Sequence, residues 1–445
     1  MHISLPEDVK FIIRTINEAG YEAYAVGGCV RDRLLNKEPD DYDITTSATP
    51  DVIKRLFRRT IDTGIEHGTV TVMLGSNGYE VTTYRIDGKY EDNRHPSSVS
   101  FTRSLNEDLL RRDFTINAMA YNDTDGLVDP FGGEQDLEDG IIRCVGNPME
   151  RFSEDALRIM RAVRFSAQLG YEIEEATKEA MKALAQNLKD VSAERIHTEL
   201  VKLLCSQHPE SIRTAYELGL TKIFMPEFDL MMETPQNHPH HVDSVGEHTI
   251  KGMELIEADR ILRLSMLLHD VGKPQVKTTD KNGRDHFHGH QQVSADIAVN
   301  ILKRLKFDNK SIRMVRLLCL YHDNRADAEG SLVRHEINEV GEELYPLLLK
   351  VRRADIMAQS TYLRQEKLSR VDGYEKIYNE AIERKYCLSM KSLNISGRVL
   401  LEIGYPNSPV LGEELKKLLN RVLDDPTLNT PDRLLEMARK DMNEV

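Results

Sequence analysis

Tyr24-Ala-Val-Gly-Gly-Cys-Val-Arg-Asp-Arg-Leu-Leu-Asn-Lys-Glu-Pro-Asp-Asp-Tyr-Asp-Ile-Thr-Thr46 is the stretch on which the reading of this chain turns. The apolar run Tyr24 to Val26 reads as a strand that stops at Gly27-Gly28, where the missing Cβ lets the backbone turn sharply and approach a ligand. Val30 to Leu35 reads as a helix whose first N–H groups would face that turn, an arrangement suited to phosphate. After Pro39 a second strand is expected over Asp41 to Thr45, and its alternation points Asp41 and Asp43 to the same side. Two adjacent carboxylates repel, and a divalent cation removes the conflict. A glycine turn beside such a pair suggests a triphosphate held by metal ions that clamp an in-line displacement at phosphorus. An Asp-x-Asp or a Gly-Gly alone is commonly an ordinary turn. The combination carries the weight.

Outward from this stretch, short strand and helix signals alternate to about residue 140, with Thr69–Leu74 and Tyr79–Arg85 forming an expected hairpin around Gly75-Ser-Asn-Gly78. From about 150 to 230 the pattern is helical, and residues 153 to 169 read as one helix with Ala156, Met160, Val163 and Ala167 on one stripe. A break at Met225-Pro226 and a Pro/His-rich linker near 234–241 open a third region, in which nine of the 15 histidines fall between His238 and His322. The remainder, from about 366, is helical and charged. The expected division is a head at 1–140, a helical neck and body at 141–233, a histidine-rich domain at 234–365 and a tail at 366–445.

With 445 residues the chain exceeds one ordinary core. No apolar run reaches membrane-spanning length, the first residues lack a signal-peptide pattern, and the five scattered cysteines suit a reduced, cytoplasmic setting. The net charge of −14 argues against a general nucleic-acid binder, although clustered arginines can still steer an anionic partner.

Asp108-Leu-Leu-Arg-Arg-Asp-Phe-Thr-Ile-Asn117 supplies such a cluster. Arg111 and Arg112 offer forked donors suited to phosphate, and Asp113 and Asn117, four apart, would share a helix face within reach of a ribose or base edge. An ordinary helix start with an ion pair reads equally well. Asp129 to Leu137 holds a second pair, Gly132-Gly133, which reads as a close backbone approach or a plain loop. In Ser153 to Phe165, Asp155 and Arg158 are i, i+3 neighbours, with Arg161 and Arg164 continuing the spacing. Cytosine and adenine present an amino donor beside a ring-nitrogen acceptor, whereas uracil and guanine present the reverse. A fixed Asp acceptor beside an Arg donor therefore matches C and A and leaves U and G unpaired.

Gly27-Gly28-x-x-Arg31-Asp32, Asp41-x-Asp43, Arg111-Arg112-Asp113 with Asn117, Gly132-Gly133 with Asp136-Leu137, and Glu154-Asp155-x-x-Arg158 stand in the order seen in class II tRNA nucleotidyltransferases. These are the CCA-adding enzymes and the bacterial poly(A) polymerases, and Ala193 to Lys202 resembles a further helical motif of theirs. The resemblance implies an α+β fold: a polymerase-β-like head with a mixed sheet, then all-helical neck, body and tail. It implies that Asp41 and Asp43 bind Mg²⁺ and that Arg111, Asp113 and Asn117 position the nucleotide. Gly27, Gly28, Arg31, Asp32, Arg112, Arg161 and Arg164 would complete the nucleotide site, and Asp155 and Arg158 would read the base. Glu80 is a candidate third carboxylate, and Asp87 to Pro96 a candidate loop for switching from C to A.

His269-Asp270 follows an apolar helical run, with His248, His288, His290, His322 and Asp355 around it in sequence. Imidazoles and carboxylates on separate helices suit a hydrolytic divalent site, and the pattern resembles the HD phosphohydrolase domain. That resemblance implies one transition-type metal on His248, His269, Asp270 and Asp355, with His290 and His322 serving a second metal or a phosphate.

The expected activity is template-independent, Mg²⁺-dependent transfer of CMP and AMP from CTP and ATP to tRNA 3′ ends, with phosphohydrolase activity at the histidine site. The stretch Arg58 to Thr69 lacks the basic, aromatic run of the bacterial poly(A) polymerases, which favours CCA addition. The alternatives are poly(A), C-only or A-only addition within the family, and, from another class, a metal phosphohydrolase whose head only binds RNA.

Overall fold

A computed structural model describes residues 3–88, 99–323 and 327–443, and the chain forms two compact units, Met1–Pro226 and Glu227–Val445. The first unit is built on β1 (Ala23–Val26), β2 (Ile44–Thr46), β3 (Thr60–Gly64), β4 (Thr69–Leu74) and β5 (Asn77–Thr83). After β5, β6 (Arg85–Asp87) and β7 (Val99–Phe101) pair as a separate ribbon, and β8 (Ala120–Asn122) and β9 (Gly126–Val128) return to the sheet. The seven-stranded order is β3-β4-β5-β2-β1-β8-β9, with β2 and β5 parallel and the other neighbours antiparallel. This is the mixed sheet expected of the head.

Every residue of β1 is buried, as a central strand covered on both faces requires. Tyr24 and Val26 join Tyr84, Leu109, Ala118, Ala120 and Val145 in one core cluster. On the helix α1 (Glu7–Glu18), Val9, Ile12, Ile13 and Ile16 form the buried stripe that holds it to the sheet. Around the sheet lie α2 (Gly28–Leu34), α3 (Pro50–Leu56), α4 (Leu105–Leu110) and α5 (Gly133–Asp139). The helical region adds α6 (Pro148–Glu154), α7 (Leu157–Leu169), α8 (Glu175–Ala183) and α9 (Ala193–Leu204), plus a short parallel pairing of Ile141–Ile142 with Glu172–Ile173.

Four local expectations are corrected. Ladder pairing in β2 begins at Ile44, so Asp41 and Asp43 lie in the extended segment before it, although the alternation survives with Tyr42 buried and both aspartates exposed. The hairpin strand ends at Thr83; Tyr84 turns into the core, and Arg85 starts the separate ribbon. Asp113 and Asn117 are not on one regular helix, because α4 stops at Leu110 and only Thr115–Asn117 form a 3₁₀ turn. The helix expected over 153–169 is broken at Asp155 (φ −140°, ψ 102°), whose carboxylate accepts the Leu157 N–H at 3.0 Å and starts α7 afresh. The stripe itself holds: Ala156, Met160, Val163 and Ala167 are all fully buried.

In the second unit, helices Val245–Leu255, Arg260–Leu268, His290–Arg304, Asn309–Tyr321 and Tyr345–Ala358 surround the histidine cluster. A two-residue ribbon, Thr278–Thr279 with Asp285–His286, interrupts the otherwise helical region. Helices Arg364–Glu383, Pro409–Asp424 and Pro431–Asn443 form most of the C-terminal part. Among the described residues no helix is long and apolar enough to cross a membrane. Most of the segment Asp87 to Pro96, expected as a switching loop, lies outside the described residues.

Candidate functional site

At the end of β1, Gly27 adopts φ +81°, a left-handed conformation that favours glycine, and an added Cβ would sit 2.9 Å from Arg112 Nη1. The Gly27 N–H donates to Met119 O at 3.0 Å, and its carbonyl accepts the Arg31 N–H at 3.1 Å to open α2. Asp41 and Asp43 stand exposed beside this turn on one side of their segment. Because β2 runs parallel to β5 with Ile44 opposite Val81, Asp43 is followed across the sheet by Glu80, also exposed. The low-dielectric protein around Asp43 pushes its carboxyl up, and the charges of Asp41 and Glu80 add to this while Arg112 opposes them. Three acidic side chains gathered here, with Asp43 pushed up by the other two, call for a cation, which is the condition a divalent-metal site must meet.

The arginine segment is tied to β2 through Asp108. Fully buried, its carboxylate accepts Arg111 Nε at 2.9 Å and Thr45 Oγ1 at 2.9 Å, with Arg112 at 3.8 Å. Burial would raise its pKa, but the two arginines hold it below the usual value. Farther along, Arg31 Nη1 donates to Asn117 Oδ1 at 2.7 Å, Asn117 Nδ2 to Asp113 Oδ1 at 3.3 Å, and Arg161 Nε to Asp113 Oδ2 at 2.7 Å. Arg31 also pairs with Asp32 at 2.8 Å. The chain of bonds thus links α2, the 3₁₀ turn and α7. Asp113 is buried, yet Arg161, Arg158 and Asn117 draw its pKa down to about 2. A folded pKa below the ordinary 3.8 means that the pair stabilises the protein above that value and that this stabilisation fades as pH falls toward 2. Asp113→Asn is therefore expected to cost about 2 kcal/mol at pH 7. Urea unfolding at pH 7 and again near pH 2.5 should show the gap between variant and parent closing at the lower pH.

Arg158 is buried and aimed by Glu154 Oε2 at 2.7 Å, Arg151 O at 3.0 Å and Arg111 O at 2.9 Å. Asp155 is gripped by both terminal nitrogens of Arg195 on α9, at 3.1 and 2.7 Å, which fixes the orientation of its carboxylate. Arg164 is buried against Glu199 at 2.5 Å, and donates to Gln168. Arg195 and Glu199 were missed from sequence; their i, i+4 spacing on α9 was the available signal. Of the second glycine pair, Gly133 settles the open reading as a close approach: a Cβ there would lie 2.3 Å from the Thr115 carbonyl oxygen.

In the second unit Asp270 is fully buried at the centre of the imidazoles. Its Oδ2 lies 3.1 Å from His269 Nε2 and 3.7 Å from His248 Nε2, and its Oδ1 lies 3.2 Å from His290 Nε2 and 3.6 Å from His322 Nε2. Two potential ligand triads therefore share this one carboxylate: His248, His269 and Asp270, and Asp270, His290 and His322. Asp355 completes the first, 2.9 Å from His248 and 3.7 Å from His269, and is itself held by Gln359. Three rings donate Nδ1–H to the carbonyl three residues earlier: His269 to Met266 and His322 to Cys319 at 2.7 Å, and His290 to Phe287 at 2.9 Å. A carbonyl only accepts, so in the neutral ring Nε2 carries the lone pair, turned toward Asp270. Both Asp270 oxygens and His269 Nε2 are buried without a well-directed hydrogen bond. Burial opposes charge on His269, but Asp270 and Asp355 push it up to about 10. Orphaned lone pairs and a demand for positive charge together suit a bound divalent metal.

Sequence reasoning missed Lys273, whose Nζ lies 2.6 Å from Asp270 and 2.9 Å from Gln236 Oε1, and His241, which burial drives down to about 2 and keeps neutral. The i+3 spacing from Asp270 was the signal for Lys273. The site opens into a polar cavity of about 330 Å³ rimmed by His238, His240, His286 and His288.

Comparison with known proteins matches three stretches of the chain to family models. Residues 23–143 match the poly A polymerase head domain, 170–232 the probable RNA and SrmB-binding site of polymerase A, and 240–359 the HD domain. The chain is 37% identical over 436 residues to the CCA-adding enzyme of Lactiplantibacillus plantarum, covering 97% of this chain and 95% of that protein. The CCA-adding enzyme of Levilactobacillus brevis is 37% identical over 422 residues, covering 94% of each. Among solved structures, the Bacillus stearothermophilus CCA-adding enzyme in complex with CTP superposes with a TM-score of 0.74 at 27% identity, covering 98% of this chain and 96% of that one.

Proposed function

Since the chain belongs to the CCA-adding enzyme family, we propose that it completes tRNA 3′ ends by adding C, C and A from CTP and ATP without a nucleic-acid template. The observation that carries this reading is the convergence of Asp41, Asp43 and Glu80 beside the Gly27 turn, with Arg112 against its backbone. Asp41 and Asp43, with Glu80 next to them, would hold Mg²⁺. When bound, such ions lower the pKa of an attacking hydroxyl and neutralise the charge of a leaving pyrophosphate.

The remaining work belongs to side chains. The bare backbone at Gly27 lets the Arg112 guanidinium pack against it, and Arg111 and Arg112 supply positive charge for the triphosphate. Arg31, Asn117, Asp113 and Arg161 form one bonded chain that positions the sugar. Asp155, oriented by Arg195, accepts the amino group of cytosine or adenine, and Arg158 donates to the ring nitrogen. Uracil and guanine would turn an acceptor toward Asp155 and a donor toward Arg158, and are thereby disfavoured.

In the HD domain, His248, His269, Asp270 and Asp355 would hold one divalent transition metal, with His290 and His322 supporting a second. Phosphomonoesters or 2′,3′-cyclic phosphodiesters are the substrates proposed there, with a cytoplasmic setting as the expected place of action. The test of the whole reading is incubation of end-trimmed tRNA with Mg²⁺ and each labelled nucleotide, followed by sequencing of the new end. C-C-A supports it, A-only or C-only extension assigns a narrower member of the family, and phosphate release without extension refutes the head's role.

A further inference from the structure

We propose that Phe165 is a positioning residue for nucleotide selection, holding the arginines of the pocket through its ring. Three guanidiniums converge on it: Arg31 from α2 at 5.1 Å from the centroid, and Arg161 and Arg164 from α7 at 5.3 and 3.7 Å. The ring is 5% exposed and packs edge-on against Phe114 at 5.7 Å, next to the residue that receives Arg161. Three like charges gathered around one point repel, and each has its polar partner on a different element: Asn117 for Arg31, Asp113 for Arg161 and Glu199 for Arg164. An aromatic face attracts cations without consuming a hydrogen-bond donor. The Phe165 ring therefore offsets the repulsion while leaving the N–H groups directed at Asn117 and Asp113. An aliphatic side chain of similar volume fills the space but not this electrostatic role.

The inference rests on the reading of this pocket as the nucleotide site. Phe165 touches no reacting atom, so its loss should act on nucleotide binding and choice rather than on turnover. In Phe165→Leu, KM for CTP and ATP should rise about tenfold, with kcat within about twofold and misincorporation from UTP and GTP increased. Phe165→Tyr, which keeps the aromatic face, should restore both KM and selectivity. Placing 3,4,5-trifluorophenylalanine at 165 depletes that face with little change of shape, and should raise KM part of the way while thermal unfolding stays unchanged. Parental KM and fidelity in both the leucine and the trifluoro proteins would overturn the proposal. So would a leucine defect that the trifluoro protein does not share, since volume alone would then explain it. If the parent protein adds nothing to end-trimmed tRNA, the pocket reading fails and this proposal falls with it; if the parent is active, the variants test Phe165 alone.

Discussion

Asp43→Asn should remove nucleotide addition, lowering incorporation of labelled CMP and AMP into end-trimmed tRNA by about a thousandfold or more, while the melting temperature rises. The two effects have one cause. Asp43 is pushed toward its protonated form by the surrounding protein and by the neighbouring charges of Asp41 and Glu80. A carboxyl whose folded pKa lies above its unfolded value costs stability once pH exceeds both, so removing the charge relieves the fold. That same unfavourable charge is what a metal–triphosphate complex would complement. The substitution preserves shape, leaves the Gly27 turn intact and does not touch Asp270, so hydrolysis at the HD site should continue. A variant that still extends tRNA at the parental rate would remove Asp43 from the chemistry.

The second large effect is expected at Asp270. Two ligand triads meet at this carboxylate, so Asp270→Asn should strip the HD site of all divalent metal, whereas His322→Ala should affect one triad only. Metal content measured by mass spectrometry after Mn²⁺ loading and dialysis should fall to background in the first variant and to about half in the second. Hydrolysis of bis(p-nitrophenyl) phosphate should drop about a thousandfold or more in Asp270→Asn. The unit should also lose stability, by about 3 kcal/mol, because Lys273 is buried with its ammonium 2.6 Å from this carboxylate. Equal metal content in the two variants would rule out the shared ligand. Undiminished hydrolysis in Asp270→Asn would move the activity elsewhere.

What could be read from sequence was what depends on near neighbours. Alternation around Tyr42 placed Asp41 and Asp43 on one side even though strand pairing starts later, because side-chain direction follows local backbone extension rather than the ladder. The stripe of α7 was legible for the same reason, while the break at Asp155 depended on a single capping contact. Glu80 could be suspected, but its place next to Asp43 follows from the parallel β2–β5 register, a pairing of distant segments. Arg195, Glu199 and the three arginines around Phe165 meet only when α2, α7 and α9 pack, and spacing within any one helix does not reveal the partners. In the HD region the histidines stood out by density; that Asp270 is common to two triads is a matter of tertiary placement.

Three of those imidazoles are tethered through Nδ1 to a carbonyl only three residues back along their own chain. Their aim is therefore written into local backbone and established as soon as each helix end forms. Holding an ion on these rings would then demand no rearrangement of the scaffold, and the energy of capture would go into affinity rather than into ordering protein.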